Sequence, residues 1–350
     1  MSRLILHIGM PKAGSSAIQD FCDRNADQLA EAGLRWSAGR RGSNQAELAV
    51  AFSDRRNAIS ASFGVSGPHD EHHRRRLRDQ IGRRLRSELN DDRPVLVSSE
   101  HLSSMLRSEE EIAELARFLS GFTDHITVVG VIRRADHWLP SAYTEAVRSG
   151  RDVALDGGFV RRRAHLLDHH HLLDRWVSTF GADAVRLIAY LETDRSDPAT
   201  LPRRLLRSVQ VDPDRITPDP GRRRLSRAGL SGEAVAVLRR IYPQLGADLG
   251  PTEREHLVQL LAGLFPGPGM RLTRAADSQL RKNGWIRTGI DREPAASGPG
   301  WDEWVQAPDA PTAPPSKVSE EQVERALTAV REAHIASRHP IRRILRRVRR

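Results

Sequence analysis

The stretch LILHIGMPKAGSSAIQ, residues 4–19, passes from an apolar run through two glycines into a helical pattern. A short apolar run closed by glycine reads as a buried strand, here over 3–8. Ile18, Phe21, Cys22 and Leu29 then recur at helical spacing, which predicts a helix from Ser15 to Ala32, ended by Gly33. A strand that feeds a glycine-rich turn into a helix N-terminus aims main-chain N–H groups and the positive end of the helix dipole at one place. That is an anion site, and Pro11, Lys12, Ala13, Gly14, Ser15 and Ser16 are its candidate residues. Gly9 and Gly14 have the spacing of a nucleotide-hydrolysing P-loop, G-x-x-x-x-G-K-[ST], and Ser16 fills the hydroxyl position. Ser15, however, stands where that motif has its lysine, and Lys12 lies inside the turn.

Lysine at this place is informative because only three of the 55 basic side chains are lysine. A position that needed charge alone would carry arginine in such a chain, and a compact ammonium is not interchangeable with a planar guanidinium. The formal net charge of +10 favours anionic partners. Cys22 is the single cysteine, which excludes an intrachain disulfide and a cysteine zinc site. No apolar run approaches the roughly 18 residues of a membrane helix, and Pro11 and Lys12 interrupt the N-terminal apolar run too early for a signal peptide, so a cytoplasmic protein is expected.

Further strands are predicted over 93–99, 125–132 and 184–191, and helices over 70–90, 108–122, 135–150, 164–180 and 198–209. Ser108 should cap the second of these helices, and Pro140 fits the third only in its first turn. Residues 37–68 read as irregular, and 212–290 as helical segments and loops without a clear assignment. Strands and helices in alternation give an α/β, P-loop-like three-layer fold with a central parallel sheet flanked by helices. The division expected is a domain over 1–290, a Pro/Gly/Ala-rich linker over 291–317, and a helix with a basic tail over 318–350.

Ligands of open parallel sheets bind at the carboxyl ends of the strands. Two further stretches sit there. VVGVIRRADHWLPSAYTEA places Arg133 and Arg134 at the end of an apolar strand, with Ser141 in the following helix, and an arginine there can grip a second phosphate. VLVSSEHLSS places Glu100 and His101 at another strand end, where either could serve as general base.

In this order the three stretches resemble sulfotransferases that use 3′-phosphoadenosine-5′-phosphosulfate, and the bacterial carbohydrate-type members most. HIGMPKAGSSAIQ is similar to their 5′-phosphosulfate loop, VIRRADHWLPSAY to their 3′-phosphate motif, and Ser98, Ser99 and Glu100 to their catalytic-base segment. The resemblance covers about residues 3–210. It implies that Lys12 contacts the oxygen bridging sulfur and phosphorus, with Gly14, Ser15 and Ser16 around the 5′-phosphate. It assigns the 3′-phosphate to Arg133 and Ser141, Arg133 and not Arg134 having the matching spacing, and it makes Glu100 the base, with His101 in reserve. The co-substrate would be the phosphosulfate nucleotide, the acceptor a hydroxyl of a glycan, and no metal is required. The alternatives are a P-loop NTPase or kinase, and a non-catalytic nucleotide- or glycan-binding module.

Three features stay outside that scheme. LRKNGW, 280–285, only faintly resembles a further phosphate-binding loop, with Arg281 and Lys282 as candidates. His165 and His169 have the i, i+4 spacing of zinc ligands but lack a placed third ligand, so a solvated helix face is the preferred reading. The tail over 338–350 could touch an anionic membrane or another polyanion, which would make the protein peripheral to a membrane; no specific nucleic-acid partner is expected.

Overall fold

The computed structural model describes residues 3–39, 44–67, 69–219, 229–245, 249–286 and 300–336. The basic tail and the first third of the stretch read as a linker, 291–299, lie outside them. In chain order the elements are β1 (Leu4–His7), α1 (Ser15–Arg24), α2 (Ala26–Glu31), β2 (Arg35–Trp36), α3 (Ala46–Phe52), α4 (Ala58–Ser62), α5 (Glu71–Glu88), β3 (Val95–Ser98), α6 (His101–Met105), α7 (Glu109–Ser120) and β4 (Ile126–Arg133). Then come α8 (Ala135–Arg148), α9 (Gly157–Arg161), α10 (Ala164–Leu167), α11 (His169–Phe180), β5 (Val185–Tyr190) and α12 (Thr200–Ser208). The last are α13 (Gly232–Leu245), α14 (Pro251–Leu264), α15 (Arg274–Lys282), α16 (Trp301–Gln306) and α17 (Glu320–Ala336).

Two compact units divide the chain, one of Met1–Ala135, Arg163–Gly221 and Gly284–Pro308, the other of Asp136–Arg162, Arg222–Asn283 and Asp309–Arg350. The first is an α/β unit around a five-stranded sheet in the order β2-β3-β1-β4-β5, every pairing parallel. Its inner strands are mostly apolar up to their carboxyl ends because helices flank the sheet, and every residue of β1 and β3 is buried. From β1 the chain first crosses to the edge strand β2, comes back to β3 beside β1, then passes to β1's other side for β4 and β5. The order therefore reverses at β1, which makes the carboxyl end of β1 the place where such a sheet opens a crevice.

Local chemistry explains most of the helix bounds. Ser108 and Glu111 form a capping box at α7, and Gly121 ends it. The single helix expected from Ser15 to Ala32 is two, because Asn25 breaks it; its amide donates to the Phe21 carbonyl at 2.7 Å. The stretch 37–68 is less irregular than its composition suggests. AELAVAF forms α3, buried at every residue and packed on α5, α6 and α7. Inside the span read as a linker, α16 buries Trp301 and Trp304, and the Trp301 indole donates to the Leu187 carbonyl of β5 at 3.3 Å.

The second unit is helical. In it α13 packs on α14 and α17, and α15 packs on α9, where the Thr273 hydroxyl donates to the Leu155 carbonyl at 2.5 Å. Ser319 and Gln322 cap α17 reciprocally. Pro140 sits inside α8, past the first turn in which it was expected. Among the described residues no helix is long and apolar enough to cross a membrane.

Candidate functional site

The loop after β1 continues alongside β4: the Ile8 and Met10 amides donate to the Val129 and Val131 carbonyls at 2.9 and 3.1 Å. It then turns sharply through Lys12, which has φ of 65°, and Gly14, which has φ of 86° and stands at the N-cap of α1. Two left-handed residues within three positions let the chain reverse and present the first amides of α1, which no side chain caps. Glycine is required twice here for space as well. A Cβ on Gly9 would lie 2.5 Å from His7 Nε2, and one on Gly14 would lie 2.3 Å from Leu201 Cδ2 and 3.0 Å from the Tyr190 ring. Gly14→Ala is therefore expected to lower stability by about 1–3 kcal/mol, combining the left-handed backbone cost with the crowding. A thermal melt checks this, and an unchanged Tm would mean that the turn does not hold this conformation.

Two side chains converge on the loop from neighbouring strands of the same unit. Arg133 closes β4 and is buried. Its Nε donates to Glu192 Oε1 at 2.8 Å, its Nη2 lies 2.6 Å from the same oxygen, and its Nη1 donates to the Lys12 carbonyl at 3.0 Å. The guanidinium also lies over the Tyr190 ring, 4.9 Å from its centroid. Burial lowers its pKa, with Glu192 opposing the shift. Arg134 turns elsewhere and donates to the Ala307 carbonyl.

Glu100 follows β3 and is half-buried. Gln19 Nε2 donates to its Oε2 at 3.2 Å and Asn44 Nδ2 donates to its Oε1 at 3.1 Å. Two amide donors, one on each oxygen, fix the orientation of this carboxylate. The same Gln19 amide donates to Ser98 Oγ at 3.2 Å, and Ser98 Oγ shares a 2.8 Å hydrogen bond with His7 Nδ1. Ser103 Oγ donates to the Gly9 carbonyl at 3.0 Å and fastens α6 to the loop. The result is a buried polar chain from His7 through Ser98 and Gln19 to Glu100. Burial holds His7 neutral, pushing it down to about 4, and lowers His101 as well, the latter opposed by Glu100.

Two buried polar atoms meet at the Gly9 turn without a hydrogen-bond partner among the described residues, His7 Nε2 and Ser15 Oγ. Both lie within 3.1 Å of the point where a Gly9 side chain would begin. Pro11 and Lys12 are half-buried, Ala13 is buried and Ser16 is exposed. Ser141 lies half-buried on α8, in the second unit.

The structure thus gathers Lys12, Gly14, Ser15, Glu100 and Arg133 about the ends of β1, β3 and β4, and adds Gln19, Asn44, Ser103, Tyr190 and Glu192. Gln19 was within reach of sequence reasoning, as a polar residue on the face of α1 shared with Ser15 and Cys22. Asn44 and Glu192 lie in loops, and no periodicity marks them. Arg281 is engaged by Asp277 and Asp309 at 2.9 and 3.0 Å, so its charge is already matched. Among the described residues no group of three or more His, Cys, Asp or Glu side chains could hold a metal ion.

No family model and no curated protein matches the chain. Among solved structures it is similar to the sulfotransferase from Alicyclobacillus acidocaldarius, at 17% sequence identity over 74% of this chain and 91% of that chain, with a TM-score of 0.41.

Proposed function

We propose that the protein is a sulfotransferase that moves a sulfuryl group from 3′-phosphoadenosine-5′-phosphosulfate to a hydroxyl of a carbohydrate. The observation that carries this reading is the convergence of a lysine, a carboxylate held by two amides, and a buried arginine on one uncapped, glycine-built helix N-terminus. In this scheme the N-terminus of α1, with Gly14, Ser15 and Ser16, holds the 5′-phosphate, and Pro11 and Ala13 shape the turn. The orphaned Ser15 hydroxyl suits an oxyanion.

Arg133 has used three of its five N–H donors on Glu192 and the Lys12 carbonyl, so two remain for the 3′-phosphate. Ser141 is the second contact, on the strength of its spacing alone. The acceptor oxygen attacks sulfur and its proton passes to the Glu100 carboxylate. The bond from sulfur to the bridging oxygen breaks, and the electron pair stays on adenosine 3′,5′-bisphosphate. The Lys12 ammonium offsets the charge that develops on that bridging oxygen.

Ser15 in the lysine slot argues against an NTPase, whose lysine reaches β- and γ-phosphates; the proposed donor has neither. Calorimetric titration with adenosine 3′,5′-bisphosphate and with Mg-ATP tests the reading. The bisphosphate is expected to bind at least tenfold more tightly, and Arg133→Ala to weaken it at least tenfold. Preference for Mg-ATP, indifferent to Arg133, would sink the proposal.

A further inference from the structure

We infer that the first unit carries a second oxyanion site, formed by Arg55, Arg107, Arg175 and His165 beside α6, which takes an anionic group of the acceptor. The inference rests on the transfer reading above and narrows its acceptor to an acidic one.

Among the described residues none of these arginines makes a close ion pair with a carboxylate. Arg107 follows α6, and its Nε donates to the Ser104 carbonyl at 3.0 Å. Arg175, on α11 and 6% exposed, donates from Nη1 to the Arg107 carbonyl at 2.6 Å. Its Nε and Nη2 have no hydrogen-bond partner among the described residues. The Glu111 carboxylate attracts Arg107 and Arg175 but takes its hydrogen bonds from main-chain amides: Asp54 at 2.9 Å on one oxygen, Arg107 and Ser108 at 2.6 and 3.1 Å on the other. Arg55 is exposed and extends the cluster to the surface.

The groups feel one another. Burial, Arg55 and Arg175 bring Arg107 down to about 10 against the pull of Glu111. Arg175 faces Glu111, Glu109 and Asp168 as well as Arg55. His165, on α10, is pushed to about 3 by burial and by Arg107, Arg55, Arg175 and Arg163. This reverses the sign of the zinc idea raised by His165 and His169. A histidine ringed by guanidinium groups repels a divalent cation, and the same ring attracts a sulfate, phosphate or carboxylate.

The place suits an acceptor. The short helix α6 starts immediately after Glu100 and α10 packs on it. At 1.5 Å of rise per helical residue, Arg107 lies on the order of 10 Å from Glu100 along the chain. One oligosaccharide can present a hydroxyl to Glu100 and a charged group to the arginines.

The test is binding of a sulfated chondroitin tetrasaccharide, with a neutral tetrasaccharide of N-acetylglucosamine as comparison. Arg55→Gln/Arg107→Gln is expected to weaken the sulfated probe at least tenfold. The charge-matched control Arg151→Gln/Arg271→Gln, at exposed positions of the second unit, should change it less than threefold. Saturation with the probe should also raise the His165 titration, followed by NMR, by a unit or more. Equal losses in both double variants, no binding by the wild type, an unmoved His165, or displacement of the probe by inorganic sulfate at equal sulfate equivalents would each overturn the inference. Bisphosphate affinity is measured on the same samples. Its absence would count against the donor reading alone, while the double variants and His165 judge the anion site.

Discussion

Glu100→Gln is expected to lower turnover about 10³-fold, within the range ascribed to general acid–base catalysis, while adenosine 3′,5′-bisphosphate binds within twofold of wild type. The substitution is isosteric and removes the carboxylate's charge and its ability to accept a proton. It also turns an amide nitrogen toward one of two donors, Gln19 Nε2 or Asn44 Nδ2, because a neutral amide has a single oxygen where the carboxylate has two. The local cost is one lost hydrogen bond, about 1 kcal/mol, too little to unfold the unit. Single-turnover transfer of labelled sulfate and calorimetry of the bisphosphate separate chemistry from binding. Retained turnover would move the base to His101, whose burial keeps it neutral and able to accept.

Lys12→Gly should have the opposite effects on activity and stability. Turnover is expected to fall about 10²–10³-fold, as when one preorganised donor to a developing oxyanion is removed. Yet Tm should stay level or rise. Lysine at φ of 65° bears a steric cost of about 1–2 kcal/mol that glycine does not, offset in part by glycine's freedom in the unfolded chain. The carbonyl that receives Arg133 belongs to the main chain and survives the change. Lys12→Ala is the comparison: the same loss of turnover with no gain in stability. A drop in Tm for the glycine variant, or turnover close to wild type, would show that Lys12 serves the fold and not the reaction.

These residues also mark how far the sequence could be read. β1, the loop and the start of α1 were legible because an apolar run, two glycines and a serine pair leave few conformations open. The Ser108 cap of α7 was legible for the same reason, since local hydrogen bonds decide it. AELAVAF was not, because its helix depends on burial against α5, α6 and α7, and a seven-residue run has too few turns to show a period. β2 is two residues long and exists through its pairing with β3. At the site, Lys12, Glu100 and Arg133 could be picked out from their places after predicted strands. The residues that hold them could not: Asn44 reaches Glu100 across 56 residues, and Glu192 reaches Arg133 across 59.

The strand register has a consequence for traffic. β1 is level with β4 only as far as His7 and Val129, so β4 runs on four residues to Arg133. At about 3.3 Å per residue this overhang stands roughly 13 Å above the end of β1, whereas β3 stops level with it at Ser98. The loop after β1 follows that overhang as far as Met10, whose amide donates to Val131, and on the other flank α6 follows β3 and is fastened to the loop by Ser103. Strands about 4.8 Å apart put the two flanks on the order of 10 Å from each other. On the proposed reading the donor lies on the β4 flank beside Arg133, and the group in flight crosses the sheet sideways toward Glu100 on the β3 flank. On that reading the acceptor belongs to the β3 flank, where the arginines beside α6 stand.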